Sequence, residues 1–267
     1  MTSARERTAE LAQQWEQEQT ALRNRCEETN RVGFSVAADG AMAGLERVGG
    51  VDISYPKHLA HGAGDCAIVS LVVLSYPSLE VVYEVSDSVP IDIPYVAGYL
   101  AFREIAAYRH AFARLRREAP HMMPQVVLVD GNGTLHPRRF GSACHLGVDL
   151  DVPTVGVAKN YLHIDDLVGT DARELKHRFA THSGSDGQSR DVELVGASGV
   201  CYGMAVAPAG PTAVNPIFVS VGHRVSLATA AAVVRACSIH RVPEPIRVAD
   251  QHSRALLRSI ESKPTPY

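Results

Sequence analysis

Two periodicities run along this chain. Residues 4–29 are rich in Glu, Gln, Arg and Ala, with Leu11, Trp15 and Leu22 as apolar positions, and this predicts an amphipathic helix. Residues 33–44 are small and polar and predict a loop. Three β-branched runs follow, at 47–55 (RVGGVDISY), 66–75 (CAIVSLVVLS) and 79–85 (LEVVYEV). The last two are separated by Pro77 and Ser78, the pattern of a three-stranded antiparallel meander. Residues 86–97, with Pro90 and Pro94, predict a connector, and the pattern then changes to a helical one over 98–118. There Ala101, Ile105, Tyr108, Ala111, Phe112 and Leu115 form a stripe, with Arg103, His110, Arg114 and Arg117 on the opposite face.

The stretch 125–159 organises the rest. An apolar run ends at Asp130, a glycine-rich turn and a short amphipathic segment follow, and a second apolar run ends at Lys159, which predicts strand, loop, helix, strand. In open α/β sheets ligands sit at the carboxyl ends of strands, where Asp130 and Lys159 fall. Farther on, a helix is expected around 173–181, followed by a mobile loop. Short strands are expected at 192–194, 201–207 and 217–221, then a helix capped by Ser226 and a last helix over 246–260.

Composition narrows the classes. The 267 residues, 46% apolar and 21% charged, suit one large domain or two small ones, and the expectation is one domain spanning 1–267, with residues 1–30 as its N-terminal helix and 261–267 as a frayed tail. A net charge of −3 means that any nucleic-acid surface must be local. Cysteines 26, 66, 144, 201 and 237 contain no CxxC pair, as expected of a reducing compartment. No apolar run of about eighteen residues and no basic-then-apolar amino terminus is present. The expectation is an intracellular protein, cytoplasmic or also nuclear, without a membrane partner. No nucleophile elbow, P-loop or dinucleotide fingerprint occurs.

Three carboxylates break the apolar patterns. Asp52 lies inside a β-branched run, where an acid must be paired, bound to metal or turned to water. Glu104 sits within the apolar helix stripe, where it needs either an ion-pair partner or a shared metal. With Asp130 they form an oxygen-rich set suited to Mg2+ or Mn2+ and hence to phosphoryl-transfer chemistry, and Lys159 is a cation for a pentacoordinate phosphate. Asp130-Gly-Asn-Gly133 alone is a common turn, and His136 alone reads equally as an ordinary loop histidine. His58 and His61 have helical-pair spacing but no acidic or thiol neighbours, and read as surface residues.

Five ordered motifs, VGGVDISY (48–55), PYVAGYLAFRE (94–104), VLVDGNGTLHPR (127–138), GVAKN (156–160) and FVSVGHRVSL (218–227), together resemble endonuclease V, the deoxyinosine- and inosine-specific nuclease family. The resemblance runs from about residue 46 to Arg258 and implies a ribonuclease H-like α/β fold, a central mixed β-sheet flanked by helices. It further implies that Asp52 and Asp130 bind metal, that Glu104 is the third catalytic carboxylate, and that Lys159 and His223 support catalysis. Tyr95 would belong to the wedge replacing the displaced base, although Ala97 stands where the bacterial pattern Pro-Tyr-x-Pro has its second proline. Asp250, in PEPIRVAD, is also a family-type acid, which spacing alone does not bring near the others.

GNG after Asp130 and ACHLGV at 143–148 resemble the eukaryotic-type branch, directed to inosine in RNA. Recognition of hypoxanthine is expected from a tight pocket of backbone amides at Gly131, Gly133, Gly141 and Ser142, with His136 nearby. The expected cofactor is Mg2+, with Mn2+ as a substitute, and the expected partner is inosine-containing RNA or DNA, met by a monomer. Another ribonuclease H-like nuclease without a base pocket, and an inosine-binding protein without catalysis, are the competing readings.

Overall fold

A computed structural model describes residues 4–56, 65–167, 172–181, 190–207 and 214–262. His58, His61, the expected loop after 181 and the tail prolines lie outside these residues. The N-terminal helix α1 is Ala4–Arg23, and residues 33–44, expected as loop, include a small hairpin of β1 (Ser35–Val36) and β2 (Met42–Ala43). The meander forms as β3 (Arg47–Ser54), β4 (Asp65–Ser75) and β5 (Val81–Ile91), antiparallel throughout. β5 runs through Pro90, which the sequence assigns to a connector. It is the outermost strand, paired only with β4, and an edge tolerates a residue without an N–H.

Helix α2 (Leu100–Glu118) leads to β6 (Val126–Asp130), α3 (Ser142–Leu150) and β7 (Thr154–Ala158), the strand, loop, helix, strand order expected. Then come α4 (Ala172–Thr181), β8 (Val192–Val195), β9 (Cys201–Val206), β10 (Ile217–His223), α5 (Leu227–Ala236) and α6 (Glu244–Glu261). Ser226 caps α5 by accepting the Thr229 N–H. One eight-stranded sheet has the order β5-β4-β3-β6-β7-β10-β9-β8, parallel across β3, β6 and β7 and antiparallel elsewhere.

Alternate residues of the central strands feed two cores, as a pleated sheet requires. Val51, Val127 and Val129 pack with Tyr108, Phe112 and Leu115 of α2 and Leu146 of α3. Val126, Leu128, Val155 and Val219 pack with Ala230, Val233 and Val234 of α5 and Ile246 of α6. Gly50 of β3 faces α6 so closely that a Cβ there would lie 2.1 Å from the Pro245 carbonyl oxygen. Glycine is thus what lets α6 lie across the strand that carries Asp52.

Between α2 and α3, His145 is 3% exposed, 4.8 Å edge-on to Phe102, and its Nδ1 has no partner among the described residues. Burial pushes its pKa down to about 4, so the unfolded chain takes up this proton near pH 6.5 and the folded protein resists until about pH 4. Stability carried by the neutral ring is complete above pH 6.5 and lost as pH falls towards 4, up to roughly 3 kcal/mol. In His145→Phe the urea stability at pH 7 minus that at pH 5 should therefore be smaller than in the wild type, and an unchanged difference would refute this account.

Candidate active site

The parallel register of β3 and β6 pairs Gly50 with Leu128 and Val51 with Val129. One step farther, Asp52 and Asp130 stand side by side at the carboxyl ends of adjacent strands. β7 ends beside them, and Lys159, its next residue, places Nζ 2.5 Å from Asp130 Oδ2. Helix α6, crossing at Gly50, adds Asp250. Oxygens of Asp52, Asp130 and Asp250 lie within 4.8 Å of one another. The three acids and Lys159 line a cleft of about 480 Å³ that Arg254 and Arg258 flank.

Glu104 comes from the other side of the sheet, on α2. It is 6% exposed, and its two oxygens accept from the Tyr55 hydroxyl and from Ser142 Oγ, each at 3.4 Å. Burial, and then the charge of Asp52, push its pKa up to about 8. Asp52 is likewise 6% exposed and is pushed up to about 7 by burial, against a hydrogen bond from Ser253, with Asp130 and Asp250 adding to the rise. Lys159 on Asp130 and Arg254, 2.8 Å from Asp250, offset only part of this negative charge. Crowded carboxylates with too few cations are a donor set that fits Mg2+ or Mn2+, which bind hard oxygen ligands.

The helical periodicity put Arg103 on the polar face of α2. It is 6% exposed, with its guanidinium 4.9 Å from the centre of the Tyr55 ring, because Tyr55 and Glu104 form a polar pocket within the apolar layer. Burial of a long cation on an aromatic face is a tertiary effect that periodicity does not encode.

The glycine-rich loop is placed next to this cleft, but its amides are engaged. Gly131 N–H donates to Val157 O, Gly133 N–H to Ser220 Oγ and Gly141 N–H to Gly133 O. These three glycines therefore do not offer the amide donors expected of them. At Gly133 and Gly141 the role is close backbone passage, since a Cβ would lie 2.0 Å from Val221 O at Gly133 and 2.3 Å from Asn132 O at Gly141, whereas Gly131 has room for a Cβ but takes a φ of +152° that side chains rarely adopt.

His136 joins this loop to the segment bearing Tyr95. Its Nδ1 accepts the Arg138 N–H at 3.2 Å, so Nε2 carries the proton and donates to Gly98 O at 3.2 Å. Burial, reinforced by Arg138, lowers its pKa to about 4 and keeps the ring neutral. Arg138 donates to the same Gly98 carbonyl at 2.8 Å, while Tyr95 stands 50% exposed. Helix α1, to which the sequence reading gave no chemistry, braces this loop: buried Gln19 donates to Phe140 O at 2.7 Å, and Trp15 stacks on Phe102 at 5.3 Å.

His223 is not part of the cluster. It pairs with Thr154, the first residue of β7, whereas Lys159 follows the last, so about 16 Å of strand separates the two levels. Its Nδ1 accepts the Glu27 N–H at 3.1 Å, and its side chain is buried there. This corrects the supporting role expected from the resemblance. Asp250 joins the acids in its place, and the signal that could have ranked it higher was the PEPIRVAD motif.

Among the described residues no helix is long and apolar enough to cross a membrane. A sequence model of the Endonuclease V family matches residues 31–251. Endonuclease V of Homo sapiens is 43% identical over 252 residues, covering 94% of this chain and 85% of the relative. The mouse protein is 42% identical over 257 residues, covering 96% and 72%. The crystal structure of the catalytic domain of human Endonuclease V superposes with a TM-score of 0.84 at 41% identity, covering 96% of this chain and 99% of that one. Ciona intestinalis Endonuclease V, in complex with a 24mer DNA containing an inosine followed by a ribo-adenosine, gives 0.79 at 35% identity, covering 94% and 99%. The sheet and its flanking helices are thus the ribonuclease H-like fold, and this chain belongs to the Endonuclease V family of nucleases.

Proposed function

We propose that this protein is a divalent-metal-dependent endonuclease directed to inosine in single-stranded RNA and to deoxyinosine in DNA. It hydrolyses the second phosphodiester bond on the 3′ side of the inosine and leaves a 3′ hydroxyl and a 5′ phosphate. The observation that carries this reading is the set of three aspartates with oxygens within 4.8 Å, Asp52 and Asp130 at the carboxyl ends of the parallel strands β3 and β6 and Asp250 on α6. The Ciona relative's complex supports inosine as the recognised base and a ribonucleotide on its 3′ side.

Asp52, Asp130 and Asp250 would hold the ion, with Glu104 beside them. When bound, Mg2+ or Mn2+ supplies Lewis-acid charge that favours in-line attack by water and departure of the 3′ oxygen. The protein's own groups do the rest. Lys159 holds Asp130 in place and presents a cation to the phosphate. Glu104, fixed through both oxygens by Tyr55 and Ser142, would be held ionised by the charge of the bound ion and is then oriented to receive a proton from an attacking water. The base is received between the 131–142 loop and the Tyr95 segment, which His136 and Arg138 tie together at Gly98. Tyr95 would fill the gap left by the displaced base and offset an unstacking cost of about a few kcal/mol.

The test is cleavage of matched single-stranded RNA and DNA oligomers carrying one inosine or one guanosine, in Mg2+ and in EDTA. The expected result is Mg2+-dependent cutting one nucleotide 3′ of inosine, strong in RNA, with guanosine oligomers intact. Equal cutting of guanosine oligomers would replace this reading with a general ribonuclease H-like nuclease. Cutting of DNA more strongly than RNA would move the substrate assignment to repair, and binding without cutting would remove the enzymatic reading.

A further inference from the structure

Behind Asp52 lies a hydroxyl pair that no catalytic role yet uses. Ser253 on α6 is fully buried, and its Oγ lies 2.7 Å from Asp52 Oδ2, 2.7 Å from Ser54 Oγ and 3.0 Å from Asp250 O. A hydroxyl has a single proton to give, and an ionised carboxylate only accepts. With Asp52 ionised, the shorter contact to the charged oxygen takes the Ser253 proton in preference to the Asp250 carbonyl, and Ser54 then donates to Ser253. The polarity of the chain Ser54, Ser253, Asp52 follows from that preference. A hydroxyl donated to a carboxylate is a short, charge-assisted bond, strengthened by the second hydroxyl behind it.

The placement is specific. Ser253 follows Asp250 by three residues, so one face of α6 presents both toward β3. That face reaches β3 only because Gly50 has no side chain. Ser54 lies two residues beyond Asp52 on the same strand and so on the same face. One oxygen of Asp52 is thereby engaged from behind, which orients the carboxylate toward the cleft that Asp130 and Asp250 line.

We propose that Ser253, backed by Ser54, is a positioning residue that fixes the Asp52 carboxylate for divalent-ion binding and couples helix α6 to the metal site. The assignment rests on the metal-dependent reading above. Outer-shell hydrogen bonds to metal ligands commonly carry 10- to 100-fold in affinity. The experiment is a Mn2+ titration followed by the electron paramagnetic resonance signal of the free ion, on wild type, Ser253→Ala, Ser253→Cys and Ser54→Ala. Circular dichroism checks folding, and cleavage is titrated with Mg2+ in parallel.

Ser253→Ala should bind Mn2+ about 10- to 100-fold more weakly, with its Mg2+ midpoint for cleavage shifted by a similar factor. Ser253→Cys keeps the volume but is a poor donor, and should lose affinity as well. Ser54→Ala leaves the direct donor and should lose only a few-fold. Affinity within twofold of wild type in folded Ser253→Ala overturns the assignment. If Ser253→Ala does not fold, wild-type affinity in Ser253→Cys overturns it, by showing that packing and not the donated proton is what matters. Absence of Mn2+ binding by the wild type overturns the metal reading itself and this assignment with it.

Discussion

Asp52→Asn should cut at least about a thousandfold more slowly than the wild type and, in EDTA at pH 8, melt at a higher temperature. Both effects have one cause. Burial and the neighbouring acids hold Asp52 at about 7 and Glu104 at about 8, against ordinary values of 3.8 and 4.5. In the unfolded chain each carboxyl loses its proton near pH 4, whereas the fold retains it until pH 7 or 8. Between these limits the unfolded state binds fewer protons at these two groups, so their contribution to metal-free stability falls as pH rises.

Asparagine keeps the acceptor for Ser253 and the shape of the side chain but removes a buried charge and its repulsion of Asp130 and Asp250. Thermal melts at pH 5.5 and pH 8 in EDTA, repeated in saturating Mn2+, test this directly. The wild type should lose more than the variant between the two pH values without metal, and gain more from Mn2+, which binds the native cluster. A variant that melts below the wild type at pH 8 in EDTA would show that the carboxylates are not in net repulsion. Activity within tenfold of wild type would remove Asp52 from the ion-binding set.

The second large effect is expected from a residue with no side chain. A Cβ on Gly50 would meet the carbonyl oxygen of Pro245 at 2.1 Å and its carbon at 2.2 Å, both backbone atoms that no rotamer change can move. Helix α6 would have to shift away from β3, carrying Asp250 and Ser253 with it. Overpacking of this kind costs about 1–3 kcal/mol, and a displacement of about 1 Å at a catalytic centre can cost a hundredfold in rate. Gly50→Ala should therefore lose both stability in urea and about a hundredfold in cleavage. Gly33→Ala, where the nearest atom to a Cβ is Gln125 Nε2 at 3.8 Å, is the control and should change neither. A fully active Gly50→Ala would mean that α6 does not need this approach.

The acids that were legible in the sequence are those that violate a pattern. Asp52 interrupts a β-branched run, Glu104 interrupts an apolar helix stripe, and Asp130 closes a short apolar strand; each demands a partner for physical reasons visible in one dimension. Asp250 violates nothing. It lies on a strongly amphipathic helix with its side chain 23% exposed, and reads there as an ordinary solvated-face acid beside Arg254. Arg103 was misread for the converse reason: periodicity assigns it to water, and only the Tyr55 ring and the buried Glu104 explain why it is 6% exposed.

Strand content, the meander, the central strand, loop, helix, strand unit and the caps are written locally, because periods of 2 and 3.6 and turn residues act over a few positions. Which strand ends share a level is not. β10 runs antiparallel to β7, so His223 closes its strand at the end opposite Lys159, although both looked like strand-end residues in the sequence. Likewise the amides of Gly131, Gly133 and Gly141 are consumed by β7, β10 and the loop itself, partners remote from them in the chain or fixed only by its path. The sequence by itself determined the elements and the three pattern-breaking acids. The tertiary structure decided that α6 supplies a fourth, with Ser253 behind Asp52, because that depends on a helix crossing a strand about two hundred residues away at a glycine that admits it.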